Sequence, residues 1–413
     1  MSSFVIVSAG AESRRILACR HVRGEMHEQP DVLARLSRHV EHFAQQVGAL
    51  AAGHGGFRDV VFLAPAQAQP VALLGKHAVA IRSGLPTLPP TSAASPAHGT
   101  GGDDGARGNP LDRRLVIALS PSGEDERVLE LARRALDAGS SVAAVTNDAR
   151  SPLAHFATLS VNVAAGLELS ASATKSVTAM MLAVLALVDG LPDSRVAGRF
   201  AADARGPRIA DPARALVLAQ AVGGLLADRA PADAAAARLV SARRIAVVGQ
   251  GHHQPAALET ARMLRETAGL LVEGFSVEGF CSGPMSGFDA DTAVVLLAGR
   301  GHTAVRSLAA RLPARGAQVI VIGDDAERGD DLLFPRIGAL GTVGASAECI
   351  LSTVRGQQLA IAAARALGVD PDRPAAMADA ALSLVRPHEG ARAPADAERE
   401  EDGASVRRDP RKG

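Results

Sequence analysis

At 413 residues, with 47% hydrophobic and 21% charged residues, the chain reads as globular and is too long for one ordinary core, so two domains are expected. Lys and Arg number 44 and so do Asp and Glu, which leaves no net charge to argue for nucleic acid. Ten Phe with no Trp or Tyr leave few platforms on which bases could stack.

Phe4–Val7 is a short strand-like start, and no clear element follows it before Gly24. Asp31–Ala52 has helical spacing, with Leu33, Leu36, Val40, Phe43, Val47 and Leu50 on one face. Val60–Ala64 reads as a buried strand and Val71–Ile81 as a helix. Leu85–Pro110 is rich in Pro, Gly, Ser and Thr and reads as a mobile loop or insertion. Strand Leu115–Leu119, helix Asp125–Ala138 and strand Ser141–Thr146 come next. A short helix at Pro152–Ala157, strand Leu159–Val163 and a long helix at Ala173–Val188 complete the first half.

The pattern then repeats. Arg208–Ala227 and Pro231–Ala242 are helical, Arg244–Val248 is a strand, and Pro255–Ala268 is a helix. Strand Ala293–Leu297, helix Thr303–Leu312, strand Gln318–Ile322 and helix Ile350–Leu367 follow. Alternating strands and helices indicate βαβ units and parallel sheets. The chain therefore reads as two α/β modules, residues 31–195 and 208–375, with a disordered tail at 386–413. Cys19, Cys281 and Cys349 are isolated thiols without a CxxC pair, which fits a reducing cytoplasm. No signal peptide is evident, and the longest apolar run, Ala179–Val188, is too short to span a bilayer.

The segment LVIALSPSGE, Leu115–Glu124, carries the clearest chemistry. A strand ends in Ser120-Pro121-Ser122-Gly123 and a helix begins. Hydroxyls and orphan N–H groups at a helix N-terminus form a seat for an anion. Glu124 and Asp125 stand where an anion would go, and serines in such a turn can simply cap the helix.

The run from Leu115 through Asn147, continued by SPLAHFATLSVNVAAGLELSASATKSVTAMMLAVLAL, resembles a sugar isomerase (SIS) domain. It is most similar to the isomerase half of glutamine:fructose-6-phosphate amidotransferase, without the glutaminase domain. Met26-His27-Glu28-Gln29-Pro30 resembles the linker motif before the first SIS domain. IAVVGQGHHQPAALETARMLRETAG resembles the start of the second, and ALGVDPDRP its C-terminal end. The resemblance implies two flavodoxin-like modules, each a parallel sheet flanked by helices. It implies a sugar-phosphate ligand, a second copy of the chain as partner, and no cofactor or metal.

Residue by residue, Ser120, Ser122 and Gly123 match the family's phosphate turn, with Asp125 where the family has a threonine. Ala66-Gln67-Ala68 falls on its Gly-Thr-Ser turn and loses two hydroxyls. Thr174 and Lys175 match the start of its long helix and are expected at the substrate, Thr174 on its anionic end; a lysine there needs a ligand or a packing contact to compensate the helix dipole. Glu266 matches the glutamate that moves a proton between C1 and C2, and Glu259 is retained as a structural group. Ser282 replaces the ring-opening histidine, Met263 one lysine and Asp379 another. His252 and His253 are either a substitute acid or an exposed turn pair, and Cys281 is expected to be a small buried hydrophobe. Two functions remain open. One is a sugar-phosphate isomerase, ammonia-dependent aminotransferase or deaminase. The other is a non-catalytic carbohydrate-derivative sensor.

Overall fold

The computed structural model describes residues 19–90, 113–192, 206–299, 303–323, 332–333 and 343–372. The strand-like start at Phe4–Val7, nearly all of the insertion, Asp379 and the C-terminal tail lie outside these residues.

Two helices lead in, α1 (Arg20–Leu36) and α2 (Val40–Gly53). The first sheet then contains β1 (Asp59–Leu63), β2 (Thr87–Leu88), β3 (Arg114–Leu119), β4 (Ser141–Thr146) and β5 (Leu159–Asn162). Its helices are α3 (Gln69–Arg82), α4 (Glu126–Asp137), α5 (Pro152–Phe156) and α6 (Lys175–Asp189). Helices α7 (Pro212–Ala227) and α8 (Ala230–Leu239) introduce the second sheet, which contains β6 (Arg244–Gly249), β7 (Val272–Ser276), β8 (Thr292–Ala298), β9 (Gln318–Gly323) and β10 (Leu332–Leu333). It is flanked by α9 (Gln254–Ala268), α10 (Val277–Cys281), α11 (Thr303–Arg311) and α12 (Ala345–Leu367).

Both sheets are wholly parallel and share one topology. The orders are β2-β1-β3-β4-β5 and β10-β9-β8-β6-β7, so each module runs 2-1-3-4-5 in its own numbering. The strand order reverses between β1 and β3, and again between β6 and β8. In doubly wound sheets such reversals open a crevice at the strand C-termini, where ligands bind. Ala66–Ala68 and Ser120–Gly123 flank the first crevice. His252 and His253 stand at the second.

The strands are near-continuous apolar runs because helices cover both faces of each sheet. β1, β3, β4 and β8 are buried throughout. One face of each sheet turns to a common core: Val60, Phe62 and Ile117 join Ile245, Val247 and Val295 in one contiguous cluster. The outer faces have separate clusters, with Val61 and Val116 in one and Ala246 and Val294 in the other. The shared core makes the described residues one compact unit. Helix α6 lies inside it and is buried at all 15 positions, which explains its lack of a polar face.

Three readings of the sequence are corrected. The helical pattern over Asp31–Ala52 divides at Ser37–His39, and the first piece starts earlier, at Arg20. Pro30 sits inside α1, at a cost helices normally avoid, and the linker motif is therefore helical. Asp372 anchors the start of α1 by accepting from the amides of His21 and Val22 at 2.9 and 2.8 Å. β2 and β7, the strands that complete each reversal of order, have no counterpart in the sequence reading. Cys281 is exposed, not a buried hydrophobe.

Burial pushes the thiol of Cys349 up to about 12, and burial with the nearby Asp372 pushes Cys19 up to about 11. Thiolate is the reactive form, so native protein at about pH 8 should be alkylated at Cys281 alone. Mass spectrometry after denaturation should find all three labelled. Among the described residues no helix is long and apolar enough to cross a membrane.

Candidate functional site

The turn after β3 is built as a closed loop. Ser120 is buried, and its hydroxyl and carbonyl both accept from the amide of Gly123 at 3.0 Å. The Gly123 amide is thus turned inward. Ser122 is exposed, and its Oγ accepts from the Glu124 amide at 3.2 Å. Asp125 is the N-cap of α4 and accepts from Val128 at 2.9 Å, which uses one of the donors an anion would want.

Gly123 has φ +66°, and a Cβ there would lie 2.1 Å from Ser151 Oγ. Left-handed backbone strain and overpacking act together at this position. Gly123→Ala is expected to cost about 2–4 kcal/mol, read as a lower urea midpoint.

Thr174 and Lys175 sit where the loop after β5 enters α6. Thr174 is fully buried, and its amide donates to Glu168 Oε1 at 2.7 Å. The Ser176 amide reaches the same carboxylate at 3.3 Å, and the Ser176 hydroxyl donates to it as well. Glu168 therefore occupies the anion position at the head of α6. Lys175 is buried and pairs with Glu28 at 2.5 Å, which supplies the compensating contact.

Glu25 and the linker motif that follows it on α1 organise this loop. Glu25, itself buried, accepts from the amides of Leu169 and Ser170 and from the Ser170 hydroxyl. Gln29 accepts from Thr178 at 2.8 Å and donates to Gln357 at 2.9 Å. Glu25, Glu28 and Gln29 are spaced i, i+3, i+4 and share one side of α1. That side holds the loop against the second module.

The loop delivers Ser172 to Glu266. The Ser172 hydroxyl donates to Glu266 Oε2 at 3.0 Å, and Arg262 donates to the same oxygen. Arg262 is bidentate to Glu259, at 2.9 Å from Nε and 2.5 Å from Nη2, and also reaches the carbonyl of Ala173 at 3.2 Å. Burial alone would weaken the base in Arg262, but the facing carboxylates of Glu259 and Glu266 outweigh it and raise its pKa. Glu259 is fully buried, whereas the Glu266 side chain is 24% exposed. Among the described residues, Glu266 Oε1 has no protein partner. It stands at an open cleft of about 970 Å³, where Gln67 and Ala66 of the first module face Arg262, Arg265, Glu266 and Glu273 of the second.

The cleft thus brings together Glu266 and Gln67 and is tied to the head of α6 through Ser172. Ser120 and Ser122 lie at the adjoining strand end but do not line it. Arg262, Glu168, Ser172 and Glu25 escaped the sequence reading. Arg262 had one available signal, its i+4 spacing to Glu266.

The SIS domain model matches residues 103–189 and 238–328. The chain carries two SIS domains. The double-SIS chain is homologous to the isomerase part of glutamine--fructose-6-phosphate aminotransferase. It is 29% identical over 366 residues to that enzyme from Acidithiobacillus ferridurans, covering 86% of this chain and 57% of the enzyme. To the Mycolicibacterium smegmatis enzyme it is 31% identical over 279 residues, 64% of this chain and 42% of the enzyme. The chain therefore spans about half the length of the curated relatives it matches. In fold, it is similar to the C-terminal domain of glucosamine-fructose-6-phosphate aminotransferase from Francisella tularensis. That match has TM-score 0.67 and 17% identity, and covers 86% of this chain and 98% of the other. It is also similar to tagatose-6-phosphate ketose/aldose isomerase from Escherichia coli, at TM-score 0.65 and 18% identity, covering 84% and 93%.

The other positions singled out in the sequence lie away from the cleft. Ser282 is exposed, and its hydroxyl donates to the carbonyl of Gly279 at 2.9 Å. Met263 is fully buried. His253, read with His252 as either an exposed turn pair or a substitute acid, is fully buried at the second strand reversal, with Nδ1 2.7 Å from Ser352 Oγ and Nε2 3.8 Å from Glu348. Neither His252 nor His253 lines the Glu266 cleft. No group of three or more His, Cys, Asp or Glu suited to a metal ion occurs among the described residues.

Proposed function

We propose that the chain acts on a sugar phosphate, as an aldose–ketose isomerase, an ammonia-dependent aminotransferase or a deaminase. One observation carries this reading. Glu266 stands at an intermodular cleft with one carboxylate oxygen fixed by Ser172 and Arg262 and the other left for a ligand. A proton carrier must be held within hydrogen-bond reach of the carbon acid and keep one basic oxygen uncommitted. In this reading Glu266 takes a proton from one of the two adjacent sugar carbons and returns it to the other. The anionic end lies toward Gln67 at the cleft and the exposed Ser122 at the adjoining strand end, with the buried Ser120 and Gly123 shaping the turn that presents them. Thr174 and Lys175 act from behind, through the loop that presents Ser172. The same reading implies a homodimer, which light scattering would test.

A second reading, a sugar-phosphate sensor without turnover, has its own support. Serine replaces the expected histidine at 282, and Glu168 already occupies the head of α6.

The two readings separate in heavy water. Fructose-6-phosphate and glucosamine-6-phosphate are incubated with the protein, and deuterium at C1 and C2 is followed by NMR. Exchange supports the enzyme. A thermal shift without exchange leaves the sensor, because a ligand that binds the native state raises Tm whether or not it reacts. Neither exchange nor a shift with either sugar rejects both readings for these ligands.

A further inference from the structure

A second depression lies apart from the cleft, where α1, α7, α8 and α12 meet. It is shallow and open to solvent along its rim. Its floor is apolar: Met26, Leu226, Ala232, Ile361 and Ala362 are all buried there. Its rim carries three guanidinium groups, Arg23 on α1, Arg229 at the head of α8 and Arg365 near the end of α12, with the imidazole of His27 one turn from Arg23. The acid on the rim, Asp233, lies 3.2 Å from Arg365 and cancels it. Among the described residues neither Arg23 nor Arg229 has a carboxylate partner. Burial lowers the basicity of His27, and the fields of Arg23 and Arg229 lower it further, so both guanidinium groups bear on the imidazole.

This concentration of positive charge is local, because the chain as a whole is neutral. A concave apolar floor with a few converging polar groups is the usual form of a small-molecule site. A bare inorganic anion would leave the floor unused, and a hydrocarbon would desolvate two guanidinium groups without pairing them. A ligand that answers both has an apolar body and one acidic group, and the planar fork of arginine suits a carboxylate or phosphate ester.

We propose that this four-helix crevice binds a small organic anion, its apolar body on Met26, Leu226 and Ile361 and its acidic group between Arg23 and Arg229. None of these side chains lines the Glu266 cleft, so the site is independent of the sugar-phosphate reading.

Isothermal titration with phenylacetate tests it, with phenylacetamide as the neutral molecule of the same shape. Saturable binding of phenylacetate is expected, with the amide weaker by about tenfold or more. Arg23→Gln with Arg229→Gln should weaken phenylacetate by at least about tenfold. Arg229 is exposed and Arg23 half-buried, and circular dichroism would verify the fold. Ser122→Ala and Glu266→Gln should leave this binding unchanged. Equal binding of acid and amide overturns the proposal, as does no binding at all. Binding that survives the double arginine variant, or that falls with Ser122→Ala or Glu266→Gln, places the ligand elsewhere and also overturns it.

Discussion

Glu266→Gln is expected to remove deuterium exchange at the sugar carbons by about 10²–10⁴-fold, the usual share of a positioned acid–base group. The fold should be untouched, for a geometric reason. Ser172 and Arg262 both donate to the same oxygen, Oε2. The glutamine carbonyl can accept from both, and its amide then takes the place of Oε1 at the cleft. The variant therefore keeps the local hydrogen bonds and loses the basic oxygen. NMR exchange rates, with Tm and the affinity for fructose-6-phosphate as controls, check this. Unchanged affinity with lost exchange is the expected split. Exchange that persists at the wild-type rate would show that another group moves the proton.

The architecture was largely legible because parallel strands buried on both faces leave a strong trace. Leu115–Leu119, Ser141–Thr146 and Ala293–Leu297 are apolar runs, and each falls on a strand. What escaped was β2 and β7, the strands that create the reversal of order. β2 is two residues long and lies among prolines. β7 is an edge strand containing Gly274, and a side chain there would press on Leu258 of α9. β2 is too short to show a pattern, and β7, as long as β1, reads VEGFS and has neither an apolar run nor strict alternation. The two modules and the turn that ends β3 could thus be read, but the strands that complete each reversal of order could not.

The site divides in a similar way. The turn at Ser120–Gly123 and the position of Glu266 follow from local pattern. The partners that decide what these residues can do come from far along the chain. Glu25 meets Ser170, Glu28 meets Lys175, and Ser172 meets Glu266. No local pattern announces such pairs. His253 shows the opposite case, for a polar pair in a glycine-rich turn reads as exposed or as an acid at the site, and it is neither exposed nor at the cleft. Its imidazole is buried because Ser352 and Glu348 of α12 receive it.

The second large effect is expected at Glu259 and Arg262. Glu259 is fully buried and Arg262 nearly so, and each depends on the other for desolvated charge. Removing one partner of such a pair leaves an uncompensated charge in the interior, at a cost of about 3–5 kcal/mol. Glu259→Gln should fall at the low end, because Arg262 keeps Glu266 and the carbonyl of Ala173. Arg262→Leu should fall at the high end, because Glu259 would then be buried without its cation. The double variant Glu259→Gln with Arg262→Leu should recover much of the loss, since replacing a buried pair outright is often close to neutral. Urea denaturation of the four proteins gives the coupling energy directly. Strict additivity would mean that the two side chains act separately. Exchange measured on the double variant then isolates the second role of Arg262. With stability recovered and Glu266 held by Ser172 alone, a remaining loss of exchange reports on how the carboxylate is aimed into the cleft.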